Sequence, residues 1–313
     1  MRAAIANSLA RVPYPLRQTL LGTAYCLMPR RLPGLLPLLG VTLRDLISPP
    51  MGLPDPKSAL PYPDGLLGVA RLRGPADLIA GYRRGMFAFS HIGPLKWWSP
   101  RHRMVLFFDR ARVEKTVRRL LRNNKFHVTF DQAFEQVVRA CAMPRPGATP
   151  LTWITPSMQA LFARVHADGY AHSVEVWENG NLVGGVFGLA VGGVFFTESQ
   201  FHIARDASKV GFAVLNRHLQ AWGFVCNDGK HATRFLADCG MVPVTRDEFC
   251  TIMDKHGSDT ARPGAWTVGS ALLDDKWQPA QDVGVRMSEA LPQGTQCLCS
   301  NEQLLNESRR STW

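Results

Sequence analysis

Two acidic residues stand where strand-like segments give way to turns. Glu198 lies in Phe196-Thr197-Glu198-Ser199, where the last strand of an apparent meander runs out. Asp228 follows the short apolar run 224–227 and precedes Gly229. A carboxylate in such a place can take a proton or orient an amine, and the plainer alternatives are a surface glutamate and an aspartate on turn duty. His172, His202 and His231 have no partners by spacing and receive no catalytic role. No G-x-S-x-G, P-loop or G-x-G-x-x-G occurs. Seven cysteines are scattered without a C-x-x-C pair, which argues against a metal site. Their odd number in a long chain points to a reducing, cytoplasmic compartment.

A second chemistry is signalled by cations. Trp97-Trp98-Ser99-Pro100 sits beside Lys96, Arg101 and Arg103, and aromatics interleaved with cations suit stacking on unpaired bases. The competing assignment is a buried aromatic pair at a domain junction. Arg112, Lys115, Arg119 and Arg122 recur at the spacing of one helix face, with a helix expected over 111–123. From Lys96 to Lys125 ten Lys and Arg face only Asp109 and Glu114, a stripe able to neutralise phosphates without reading sequence. The formal charge of +11 fits nucleic acid or an anionic membrane surface as partner. Residues 1–44 hold six arginines and no acid before Asp45, and five prolines interrupt their apolar stretches. They read as no membrane span. They form either a basic amphipathic extension making weak membrane or RNA contact, or a loosely docked one.

The elements that must position these residues are marked by punctuation. Pro75 opens a short helix that Gly85 follows, and 86–100 is an aromatic loop. A strand is expected over 104–108, and Asp131 as the cap of a helix carrying Phe134, Val137, Val138 and Cys141. Thr155-Pro156 opens the next helix, which Gly169 ends. Then 173–177, the turn Asn179-Gly180, 182–190, the turn Gly192-Gly193 and 194–197 make an antiparallel meander. Asp206 is the expected cap of the following helix. The organisation expected is a basic extension over 1–55, a small domain over 56–145, a main domain over 146–287 and a polar, disordered tail over 288–313. Residues 143–150 form the linker between the two domains. The fold class is α+β with an antiparallel-rich mixed sheet.

Several segments, in order, resemble one family. They are Gly81-Tyr-Arg-Arg-Gly-Met-Phe-Ala-Phe-Ser90, Trp97-Trp-Ser-Pro100, Thr152-Trp-Ile-Thr155 and Ala171-His-Ser-Val-Glu-Val-Trp177. Leu182-Val-Gly-Gly-Val-Phe-Gly188, Glu198-Ser199, Ala207-Ser-Lys209 and Asp228 follow, with Gly240 twelve residues later. Over roughly 60–255 the chain resembles the leucyl/phenylalanyl-tRNA–protein transferases. The resemblance implies a small N-terminal domain before a C-terminal domain of acetyltransferase (GNAT) type. It implies transfer of Leu or Phe from charged tRNA to the N-terminal amine of a protein, without metal or cofactor, by a monomer. By the same resemblance Trp97 or Trp98 and Trp153 lie near the terminal adenosine of the tRNA, Val186 and Phe195 line an apolar side-chain pocket, and Arg112, Lys115, Arg119 and Arg122 contact tRNA. Glu198 faces the reaction centre, and Asp228 orients the relay of the attacking amine.

The departures from the family pattern are local. Lys230 replaces the glutamine two residues after the aspartate, Phe235 replaces a frequent histidine, and Thr197-Glu-Ser-Gln-Phe-His202 replaces Gly-Glu-Ser-Met-Phe-Ser. A protonated lysine has donors only. Lys230 could act as a base neutralised by burial, could pair with Asp228 or Glu198 and help hold the leaving oxygen, or could repel a cationic acceptor. The alternatives to the family activity are a different acceptor, such as another N-terminus, a lipid or a small amine, and an inactive tRNA-binding homologue.

Overall fold

A computed structural model describes residues 13–144, 151–258, 262, 264–282 and 284–291. Two helices come first, α1 (Tyr14–Cys26) and α2 (Leu32–Ile47). Helix α2 continues through Pro37, which gives up one intrahelical hydrogen bond there. Its inner face, with Leu38, Val41 and Asp45, docks on β1 (Leu66–Val69). There the buried Asp45 carboxylate accepts the Val69 amide at 2.8 Å. The described part of the extension is therefore largely helical and seated by a specific bond.

Next come α3 (Pro75–Arg83), β2 (Phe87–Phe89) and β3 (Lys96–Trp98). Strands β1, β3 and β2 form a small antiparallel sheet in that order. Pro75 takes the first helical position as expected. Gly81 lets α3 lie flat on Trp97, since a Cβ at 81 would stand 2.2 Å from that ring. The segment expected as an aromatic loop thus contains two strands.

The main sheet has seven strands in the order β10-β4-β9-β8-β7-β6-β5. They are β4 (His102–Phe107), β5 (His127–Phe130), β6 (Ala171–Glu178), β7 (Asn181–Val191), β8 (Val194–His202), β9 (Cys226–Asp228) and β10 (Val242–Thr245). Every pairing is antiparallel except β8 with β9. The mixed α+β class is therefore observed, and the meander β6–β7–β8 lies where its turns predict it. Asn179 and Gly180 both take positive φ, 51° and 77°, as a type I′ turn requires. Because β4 and β5 belong to this sheet, the boundary expected near 145 falls within it.

Period-two alternation distributes the core over both faces of the sheet. Met104, Leu106, Val186, Ala190 and Phe195 face α7 (Ala207–Ala221) and α4 (Lys115–Arg122). Val105, Phe107, Phe187, Leu189 and Phe196 face the small sheet, α3, α5 (Phe134–Ala142), α6 (Pro156–Ala167) and α9 (Arg246–His256). Thr155 caps α6, accepting the Met158 amide. Two other expected caps differ. Asp131 stands at φ 59° and accepts the amides of Ser173 and Trp266, so it ties β6 to the C-terminal segment instead of capping α5. Asp206 holds the N-cap position of α7 but makes no side-chain cap bond. Short helices α8 (Arg234–Asp238) and α10 (Met287–Ala290) complete the fold. The linker at 143–150 and the polar tail fall largely outside the described residues.

Candidate active site

The two carboxylates singled out by sequence meet on the small-sheet side of the main sheet, and local geometry explains each. Opposite β7, Phe187 pairs with Ser199 and Gly188 with Thr197, so Glu198 is the extra residue of a β-bulge. Sequence placed it at the end of a strand, whereas β8 runs on to His202. Bulges re-aim a side chain, and Gly188 makes this one fit, since a Cβ there would lie 2.3 Å from the Phe196 carbonyl oxygen. The Glu198 carboxylate is fully buried while the residue as a whole remains partly exposed, so its exposure belongs to the bulged backbone. Asp228 ends β9 and is fully buried.

Each carboxylate is held by partners, most of them distant in sequence. Arg103 on β4, itself fully buried, donates to Asp228 through Nε at 3.1 Å and through a second guanidinium nitrogen, and its Nη1 donates to the Gly85 carbonyl at 2.9 Å. The Lys230 amide donates to Asp228 Oδ1 at 3.0 Å. The Lys230 ammonium, with its backbone held at φ 63°, meets Glu198 Oε2 at 2.5 Å. Tyr82 Oη donates to Glu198 Oε1 at 2.7 Å. Phe87 and Phe249 flank the guanidinium at 4.9 and 4.4 Å. The cluster joins two cations to two carboxylates in a dry setting, where breaking either pair strands a charge.

Burial shifts these groups in predictable directions. Desolvation holds the Lys230 ammonium below the usual lysine range, against the opposing pull of Glu198 and Asp228. Tyr82 is raised well above the usual phenol by burial and by the Glu198 charge. His231, edge-on to Phe87 at 5.5 Å, is pushed down to about 4 by burial and then by the Arg103 and Lys230 charges. An unfolded histidine takes up its proton near 6.5 and the folded His231 only near 4. Its contribution to stability is therefore complete above about pH 6.5 and is lost as the pH falls toward 4. A melting-temperature profile of the His231→Gln variant should be flatter than wild type across that window. Equal slopes would remove His231 from the acid response.

The other expected site residues separate into three groups. Trp97 and Trp98 are 2% and 5% exposed, and Trp98 Nε1 donates to the Phe89 carbonyl, so the buried alternative describes their surroundings. Val186 and Phe195 are fully buried on the opposite face of the sheet, Phe195 against Trp266, and do not join the cluster. Trp153 is half-buried and lines a solvent-open cleft of about 720 Å³ between the small sheet and α6. Leu72, Leu95, Leu161, Ser157 and Arg164 also line it. Strand β2 connects this cleft to the cluster. Phe87 touches Arg103 and His231, and Phe89, two residues along on the same strand face, packs 5.5 Å from Trp153.

Arg112, Lys115, Arg119 and Arg122 are all exposed, but the helix begins only at Lys115. Arg112 precedes it in extended chain, its amide bonded to the Cys239 carbonyl, so three of the four cations share a helical face. Segment 274–277 fastens this helix: Arg118 donates to the carbonyls of Asp275 and Trp277, and Arg122 pairs with Asp275. Sequence reasoning missed Arg103 and Tyr82 as partners of the carboxylates. Their only signal was their place inside or beside the motifs at 81–90 and 97–100. Among the described residues no group of three or more His, Cys, Asp or Glu could hold a metal ion.

Comparison with known proteins gives these positions a context. A family model described as leucyl/phenylalanyl-tRNA protein transferase matches residues 105–254. A leucyl/phenylalanyl-tRNA–protein transferase from Cellvibrio japonicus is 46% identical over 197 residues, 63% of this chain and 83% of that protein. Proteins of the same name from Pseudomonas syringae pv. syringae and Pseudomonas fluorescens are each 44% identical, over 66% and 68% of this chain and 90% and 94% of theirs. The C-terminal domain (DUF2156) of a putative lysylphosphatidylglycerol synthetase from Agrobacterium fabrum aligns over 64% of this chain and 67% of its own, at 11% identity. Its TM-score of 0.27 is too low to bear on the fold.

Proposed function

The chain belongs to the leucyl/phenylalanyl-tRNA–protein transferase family, and on that premise we propose that the Arg103–Asp228–Lys230–Glu198–Tyr82 cluster serves aminoacyl transfer to a protein N-terminus. The enzyme is an aminoacyltransferase that takes leucine or phenylalanine from charged tRNA. The observation that carries the activity is the 46% identity to a named transferase across 83% of its length. In the reaction the free α-amine attacks the ester carbonyl carbon, a C–N bond forms, the C–O bond to the terminal ribose breaks, and the amine's proton ends on the leaving oxygen or in solvent.

The roles follow from which atoms are already engaged. Asp228 has its oxygens filled by Arg103 and the Lys230 amide, so it works as a fixed anchor that positions residue 230. Lys230 is the group with protons to give. Desolvation makes its ammonium a better donor, toward the leaving 3′ oxygen, while Glu198 holds it in place. Tyr82 fixes the other Glu198 oxygen. The cleft beside Trp153 receives the 3′ end, with the indole as stacking surface and Arg73 and Arg164 near the phosphates. Exposed Lys115, Arg119 and Arg122, with Arg112, meet the tRNA backbone.

A C-terminal domain of acetyltransferase type is supported by the meander β6–β7–β8 and by the parallel β8–β9 pair that follows α7. The proposed enzyme is a cytoplasmic monomer, and no described helix is long and apolar enough to cross a membrane. The test supplies radiolabelled Leu-tRNA and Phe-tRNA with peptides that differ only in their first residue. Label on Arg- or Lys-initiated peptides is the expected result. Salt-sensitive tRNA binding with no transfer to any peptide would overturn it.

A further inference from the structure

The apolar side chains that the fold leaves in water are concentrated in one place. Apart from Met143 and Ile203, every exposed large apolar residue among the described ones lies between Leu16 and Met51. On α2 the stripe is Leu32, Leu36, Leu39, Leu43, Leu46 and Ile47, the i, i+4, i+7, i+11 pattern of a single face. The opposite face of the same helix is the one docked on β1 through Leu38, Val41 and Asp45. The stripe therefore points away from the protein, with Leu36 79% and Ile47 76% exposed. Helix α1 repeats the arrangement with Leu16 and Leu20, and Leu27 and Met28 expose the turn between the helices.

The charges around this face have one sign. At about 100° per residue, Arg44 on α2 lies roughly a right angle from the apolar stripe of its helix. From there a long side chain can reach headgroups while the stripe sits in acyl chains. Arg30 is exposed at the turn. The one acid within the two helices, Asp45, is buried, accepting the Val69 amide at one oxygen and Arg44 Nε at the other, at 2.7 Å, while 62% of the Arg44 side chain stays exposed. A second copy placed on this face would set arginine rim against arginine rim. An anionic bilayer supplies both an apolar phase and the opposite charge. Helix α2, 16 residues and so about 24 Å long, suits lying in the interface and is too short to span.

We propose that α1 and α2 form a peripheral docking surface for anionic phospholipid membranes, with the α2 leucine stripe inserted and Arg30 and Arg44 on the headgroups. The surface is independent of aminoacyl transfer, and its binding is measured without tRNA.

The experiment is flotation of the full chain with phosphatidylcholine vesicles, with and without phosphatidylglycerol, at physiological and high salt. The wild-type protein should float with the anionic vesicles and release partly in high salt. Leu36→Glu combined with Leu43→Glu should weaken partitioning by about tenfold or more, because both side chains are exposed and their loss spares the fold. Leu36→Cys carrying an environment-sensitive dye should shift to the blue on the same vesicles, which reads insertion at a single site. No flotation of the wild type would overturn the proposal, as would equal flotation of the double variant or an unshifted dye. A dimer abolished by the double variant without vesicle binding would give the face to a second copy, and tRNA binding abolished by it would give the face to RNA. Either result would also overturn the proposal.

Discussion

Asp228→Ala should lower folding stability by about 3–5 kcal/mol, because it strands the buried Arg103 guanidinium. For a chain of this size that corresponds to a fall in melting temperature on the order of 10 °C. The reason is geometric: among the described residues Asp228 is the only carboxylate that Arg103 touches, both are fully buried, and the remaining Arg103 bond goes to the Gly85 carbonyl. Transfer should be lost with it, since the Lys230 amide loses its acceptor and the backbone at φ 63° loses its clamp. Arg103→Met combined with Asp228→Leu separates the two effects. Replacing a buried ion pair by apolar groups of similar volume is often close to neutral, so the double variant should regain much of the melting temperature and none of the activity. A single Asp228→Ala variant that melts like the wild type would show that the pair does not hold this part of the sheet together.

Lys230→Gln should change which acceptors are used. As the protein stands, Glu198 is shared between the Tyr82 hydroxyl and the Lys230 ammonium, so its negative charge is neutralised within the cluster. Glutamine removes the cation and leaves Glu198 facing the site as a carboxylate with one strong partner. An incoming N-terminal Arg or Lys then meets net negative charge where it met a balanced pair. The ratio of kcat/KM for Arg-initiated over uncharged-initiated peptides should rise on the order of tenfold, about 1.4 kcal/mol of differential transition-state binding. Stability should fall modestly, by about 1–3 kcal/mol, from the less satisfied Glu198. Initial rates on a peptide set varying only at position one measure the ratio. An unchanged ratio would make Lys230 a structural partner of Glu198 with no part in choosing the acceptor. The Lys230 ammonium pairs with Glu198, while its contact with Asp228 is made by the backbone amide.

Local signals in the sequence were enough for the meander, for several helices and for the family, but not for β2 and β3 within the aromatic segment. The Asn179-Gly180 and Gly192-Gly193 turns set the meander, Thr155-Pro156 set the start of α6, and the ordered motifs from Gly81 to Gly240 identified the transferase. Each of these is a preference of a few adjacent residues, or an order along the chain, so no tertiary information is needed to see it. What the tertiary structure alone decided is which residues meet. Arg103 reaches Asp228 across 125 positions and Tyr82 reaches Glu198 across 116, because β4 pairs with β9 and α3 packs over β8. The bulge that turns Glu198 inward depends on where β7 pairs with β8. Burial of Trp97 and Trp98, and of Val186 and Phe195 on the far face, depends on which layer covers each side of the sheet. Strand pairing and layer order are set by the summed burial of the whole chain, and no window of sequence contains that sum.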